Sequence, residues 1–169
     1  MKKFIPVLLI TVCIMFTLDI SAQEYVGADK CKMCHKSEKS GEQYTLWEAR
    51  KHSKSAAALT SEKAKEYSPD TPAVENPDCY KCHAPLTEKA PDLKGEGVTC
   101  EVCHGPGSEY KKMSVMKDHA EAVKAGMTDF TATDAIKKQC LSCHENAHKA
   151  EFDFEAAWEK VKHPKPDEG

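Results

Sequence analysis

Four times in this chain a cysteine is followed three residues later by a second cysteine and at once by a histidine. The motifs are CKMCH from Cys31, CYKCH from Cys79, CEVCH from Cys100 and CLSCH from Cys140. Cys31, Cys34, Cys79, Cys82, Cys100, Cys103, Cys140 and Cys143 make up 8 of the 9 cysteines. The following histidines, His35, His83, His104 and His144, are 4 of the 8 in the chain. Cysteine pairs at this spacing also serve zinc knuckles, disulfides and iron–sulfur clusters, but none of these needs a histidine at the next position. Covalent haem does. Each thiol adds to one vinyl group of the porphyrin, and the two-residue gap lays both sulfurs along one porphyrin edge. The adjacent histidine then comes under the iron as its proximal ligand. The motifs therefore predict four covalently attached haem c groups, bound by the eight paired cysteines and ligated by His35, His83, His104 and His144.

The sixth position of each iron decides the chemistry. A second histidine or a methionine closes it and leaves electron transfer, whereas an open position admits a small molecule. Four histidines remain: His52, His119, His148 and His163. We take His52, His119 and His163 as distal iron ligands. His148 stands only four residues past His144, too close to reach the opposite face of its own haem. It is left to a neighbouring haem or to a propionate. Met113, Met116 and Met127 are alternative ligands, although methionine at helical spacing more often packs.

The elements that must position these groups read as helices and long loops. The stretch from Ser40 to Tyr67 carries Tyr44 and Trp47 at helical spacing, then His52 and an alanine run, and Pro69 and Pro72 end it. Proline-rich loops lead into the second and third motifs. Residues 116–126 form a short helix stopped by Gly126. A last helix is capped by Asp153, sets Phe154, Trp158 and Val161 on one face, and ends at His163 before Pro164. No segment reads as a strand. Motif starts lie 48, 21 and 40 residues apart, which makes the haems of the middle two motifs expected neighbours. Charged residues are 30% of the chain and aromatics 7%, poor material for a large protein core. The fold class is therefore mainly α: a compact multihaem cytochrome, its helices and long loops wrapped around four haems whose apolar faces serve as the core.

The N-terminus has its own logic. Lys2 and Lys3 precede an apolar run from Phe4 to Leu18, and Ser21 and Ala22 suit a cleavage site. Residues 1–22 read as a secretory signal peptide, because a membrane-spanning helix needs about 20 apolar residues. Val12 before Cys13 does not fit a lipoprotein signal. Residues 23–169 are then one tetrahaem domain of 147 residues, periplasmic or otherwise exported, with no stable membrane insertion after signal removal. Removing the signal takes the formal charge from −3 to −4, which offers no basic surface for nucleic acid and mildly favours a basic partner.

Several stretches resemble the tetrahaem cytochrome c-554 family: YVGADKCKMCH with a later W-x4-H-x3-A, GVTCEVCHGPGS, and the last motif followed by a helix ending in His-Pro. The resemblance implies a mostly helical fold with haems in closely packed pairs, and a place in periplasmic nitrogen and respiratory electron transfer. It implies three bis-histidine haems, with His119 opposite His35, His52 opposite His104 and His163 opposite His144. The second haem would keep His83 alone. The expected function is electron transfer between redox protein donors and acceptors, among them a multihaem oxidoreductase. The alternative is a redox enzyme acting on nitric oxide, nitrite or hydroxylamine at an open second haem. A subunit of a haem filament is a third reading.

Overall fold

The computed structural model describes residues 23–132, 134–145 and 147–164, and among them the regular structure is entirely helical. The reading of residues 1–22 as a signal peptide lies outside the described residues. No described helix is long and apolar enough to cross a membrane.

The α-helices are short: α1 (Ala28–His35), α2 (Gln43–Ala49), α3 (Ser55–Ala58), α4 (Glu62–Tyr67), α5 (Pro77–His83), α6 (Cys100–His104), α7 (Met113–Met116), α8 (His119–Lys124), α9 (Ala135–His144) and α10 (Phe154–Val161). Four of them, α1, α5, α6 and α9, carry the cysteine motifs, and each ends on the motif histidine. Residues three and four apart share one face of a helix. Both thiols and the imidazole of each motif are thereby delivered to the same side of a helix end.

The predicted helix between Ser40 and Tyr67 is instead broken into α2, a 3-10 turn (His52–Lys54), α3 and α4. The break falls at Arg50, whose backbone is extended (φ −98°, ψ 171°). Its guanidinium donates to the carbonyls of Val161 (2.5 Å) and Lys162 (2.8 Å). A tertiary bond to the end of α10 overrides local helix propensity here, and it turns His52 out of the α2 axis. The predicted caps hold. The Asp153 carboxylate accepts from the Ala156 amide at 3.1 Å, and Gly126, at φ +104°, ends the chain's turn after α8. Residues 116–126 divide between α7 and α8, with Asp118 capping the latter.

Apolar residues buried by the protein itself are few and mostly small: Ala28, Tyr44, Leu59, Ala73, Ala84, Leu86, Tyr110 and Ala122. Leu59, Ala73 and Ala84 form one cluster under α3 and α5. The most deeply buried large side chains are polar, Glu101 and Thr99, each 1% exposed. The six ion pairs found among the described residues join positions three or four apart on exposed surfaces, and such pairs contribute little. Long-range organisation comes from elsewhere, chiefly from groups around the motifs.

Candidate cofactor site at the four motifs

The motif helices assemble in two pairs. The thiols of Cys31 and Cys100 are neighbours: their mutual influence, then burial, raises Cys31, and the same influence lowers Cys100 against its burial. The thiols of Cys82 and Cys143 are neighbours too. Burial, then this contact, pushes Cys82 up to about 11. The first motif thus meets the third, and the second meets the fourth. The middle motifs, only 21 residues apart, also approach one another: the Ser55 hydroxyl donates to the His83 carbonyl at 2.8 Å and accepts from the Val98 amide, just before Cys100, at 2.9 Å. The two pairs join through Cys103, which burial and then Cys140 push up to about 11, and through Gln139, whose amide donates to the Val102 carbonyl at 3.1 Å.

One carboxylate organises the first pair. Glu101 occupies a variable position of the third motif, and its oxygens accept from the amides of Val26 (3.0 Å), Gly27 (2.7 Å) and Gly107 (2.6 Å). The first two amides immediately precede α1, and the third follows α6. Glu96 adds bonds from the Ala28 amide (2.9 Å) and the Thr99 hydroxyl (2.9 Å). Gly105 closes α6 at φ +82°, where a side chain would meet the Gly126 carbonyl at 2.6 Å. The chain can therefore turn sharply after His104 only with glycine there.

The remaining histidines meet the motif histidines in twos. His52 lies 6.1 Å from His144 between ring centroids, His163 lies 5.9 Å from His104, and His148 lies 5.9 Å from His83. A metal–imidazole bond of about 2 Å puts each ring centre roughly 3 Å from the metal, so trans imidazoles on one iron stand roughly 6 Å apart. All three separations suit a single iron between the rings. His119 is exposed at the start of α8. Among the described residues it is not brought to His35. The resemblance implied His52 opposite His104 and His163 opposite His144; the ring approaches in the structure are His52 to His144 and His163 to His104. Arg50 anchors the end of α10, and with it His163, beside the end of α2.

Second contacts select the ring nitrogen that faces inward. His83 Nδ1 lies 3.3 Å from the Ser55 carbonyl, and His163 Nδ1 lies 3.3 Å from the Pro164 carbonyl. A carbonyl only accepts, so Nδ1 donates and Nε2 keeps its lone pair for a metal. His35 Nδ1 lies 3.3 Å from Gln43 Oε1, and the Gln43 amide nitrogen donates to Pro164 at 3.0 Å. That second bond fixes which end of the amide faces His35 and ties the first motif to His163. Phe152 stacks on His144 at 4.6 Å and 12°, covering a ring face while leaving the nitrogen edge clear.

Electrostatics favour the same neutral state. Burial, followed by the proximity of His163 and His35, pushes His104 down to about 4. Burial and His83 lower His144, and burial and His144 lower His52. Neutral imidazole is the form that binds iron. No three His, Cys, Asp or Glu side chains converge on one point among the described residues. The donors instead come as paired rings beside paired thiols, a set that fits a planar macrocycle attached at its edge and ligated on its faces. Glu101, Gln43, Ser55 and Arg50 escaped the sequence reading. The only signal for any of them was the acidic residue inside the CEVCH motif.

Comparison with known proteins agrees with this construction. Residues 30–105, which hold the first three motifs, match the family model "Cytochrome c554 and c-prime". The chain is 28% identical over 146 residues to cytochrome c-554 of Nitrosomonas europaea, which covers 72% of this chain and 58% of that protein. It therefore spans little more than half the length of that relative. The reduced-state structure of cytochrome c554 from Nitrosomonas europaea superposes with a TM-score of 0.51 at 24% identity, covering 85% of this chain and 74% of that one. The likeness in structure covers more of the chain than the segment matched by the family model.

Proposed function

We propose that the chain, which resembles the cytochrome c554 family in sequence and fold, is an exported tetrahaem electron carrier serving redox proteins. Bound haem c supplies a reversible ferric–ferrous couple whose potential is tuned by its axial ligands and their hydrogen bonds. The chain's own contribution is to attach, ligate and pack. Cys31/Cys34, Cys79/Cys82, Cys100/Cys103 and Cys140/Cys143 hold the four groups, and His35, His83, His104 and His144 ligate them. His52 is the distal ligand opposite His144, and His163 is the distal ligand opposite His104. His119 serves His35, an assignment resting on the family resemblance and needing α8 to approach the first motif.

The observation that carries this reading is the facing of imidazoles beside thiol pairs at separations near 6 Å. Closed coordination of this kind lets an iron change oxidation state with little rearrangement and keeps small molecules out. The pairing of motifs one with three and two with four supports a continuous route through the molecule, joined where Cys103 approaches Cys140. Expected partners are redox proteins, a multihaem oxidoreductase among them, met through small transient interfaces.

The test is to express the full chain in a bacterium with the covalent haem-attachment machinery. Fractionation, the mature N-terminus, haem per chain by pyridine haemochrome and intact mass then follow. Four haems, a start near Gln23 and reversible reduction without turnover of nitric oxide, nitrite or hydroxylamine are expected. Fewer than four haems per chain, or steady turnover of one of those compounds, would overturn the carrier reading.

A further inference from the structure

His148 is the one histidine that neither the motifs nor the family pattern employs, and it stands 5.9 Å from His83. We propose that His148 is the distal ligand of the second haem, closing the site that the family pattern leaves open. This rests on the tetrahaem reading above.

Three observations carry it. The ring separation matches those of His52–His144 (6.1 Å) and His104–His163 (5.9 Å), so the same geometric standard that selects those ligands selects this one. His83 is held on its other side. Its Nδ1 donates to the Ser55 carbonyl at 3.3 Å, and the Ser55 hydroxyl lies 2.8 Å from the His83 carbonyl, leaving Nε2 for iron. Finally, His148 sits at φ 52°, ψ 25° within the turn Ala147–Lys149, a left-handed conformation uncommon outside glycine. Unusual backbone of this kind persists where surrounding contacts over-determine it. Here those contacts are the ring of Tyr67, edge-on at 4.6 Å, and that of His83.

The closeness of His148 to His144 in sequence is what makes this possible. A residue four positions past a proximal histidine cannot reach round its own haem, but it can reach a neighbour. The second and fourth motifs are neighbours, since the His83 ring lies 5.9 Å from that of His148, four residues past the fourth motif's histidine. Serial order thus places a ligand for the second iron immediately after the ligand of the fourth.

The experiment is EPR of the fully oxidised holoprotein, with carbon monoxide titration of the reduced form. The wild type is expected to show low-spin haem only and to bind no carbon monoxide. His148→Ala should create a high-spin ferric signal from about one haem in four and stoichiometric carbon monoxide binding at one haem. Added imidazole should return that haem to low spin. A high-spin haem already present in the wild type, or a His148→Ala protein that stays fully low-spin, would overturn the proposal. If His148→Ala does not accumulate as holoprotein, the wild-type spectrum and the milder His148→Met decide, the latter through a shifted low-spin signal from one haem. A haem count of four with an open second iron defeats this inference alone, whereas a count below four defeats the tetrahaem reading beneath it.

Discussion

The two motif pairs are built by different means. Around the first and third motifs the polypeptide makes its own scaffold. Glu101, 1% exposed, gathers three backbone amides from both sides of the pair, Glu96 binds the start of α1, and Ser108 and Glu24 exchange hydrogen bonds at 3.0 and 3.1 Å. Around the second and fourth motifs the ties are one serine, a thiol contact and a set of ring contacts. One pair is fixed by buried hydrogen bonds whose loss is expensive; the other is fixed largely by the ligands it offers to its cofactors. Histidine burial follows the same division, since His104 is driven down to about 4 while His148 remains exposed.

The sharpest way to break this contrast is Glu101→Ala. It strands three amide donors in a buried position, and each buried group left unsatisfied costs about 1–3 kcal/mol. A loss of roughly 3 kcal/mol or more is expected in denaturant unfolding of the holoprotein. Glu101→Gln keeps the size but turns an amide group toward a backbone donor, so it should fall between. A Glu101→Ala protein that unfolds at the wild-type midpoint would show that the carboxylate does not organise the first pair.

The next effect is a pH dependence. His104 has a folded value of about 4 against an ordinary value of about 6.5. Between these values the unfolded chain binds more protons than the folded one, so stability falls as pH falls. The contribution is complete above pH 6.5 and is lost progressively toward pH 4. Restricting the measurement to pH 6.5–5 keeps it above the ordinary carboxylate range. Over that span stability should fall, read as a lower urea midpoint. A flat midpoint across this range would mean that the ring is not held neutral by burial.

What the sequence disclosed and what it concealed divide along the same physical line. The helices that carry the four motifs, the helical character of the described residues and the Asp153 cap were legible because each depends largely on residues within a few helical turns. The pairing of motifs was not. A gap of 21 residues points only to the approach of the middle two, whereas the thiol contacts that join the first motif to the third and the second to the fourth are made across far longer separations. The partner of each distal histidine was hidden for a related reason. Arg50 breaks its helix through bonds to Val161 and Lys162, 111 and 112 residues away, and nothing near Arg50 in sequence announces them. His52 and His163 were found as histidines, but the rings they approach, His144 and His104, belong to motifs far away in sequence.

The smallest predicted effects separate the two pairs at single ligands. Gln43 orients His35 through Oε1 and holds Pro164 beside His163 through its amide nitrogen. Ser55 orients His83 through its carbonyl and, through its hydroxyl, approaches the carbonyls of both His52 and His83 at 2.8 Å. Gln43→Leu removes the side-chain acceptor altogether, so His35 Nδ1 loses its partner while the surrounding scaffold of Glu101 and Glu96 remains. Ser55→Ala leaves the backbone carbonyl, so His83 keeps its Nδ1 partner and loses only the clamp on its main chain. Each lost bond should cost about 1 kcal/mol of stability, and the two variants should differ in redox behaviour. In a spectroelectrochemical titration resolving the haems, Gln43→Leu should raise the potential of one bis-histidine haem, because an imidazole relieved of its acceptor is a poorer donor to ferric iron. Ser55→Ala should leave potentials near wild type and loosen the second pair, seen as faster hydrogen exchange of the α5 amides. If Ser55→Ala moved a potential as far as Gln43→Leu, the second pair would owe as much to its polypeptide scaffold as the first, and the division between them would fail.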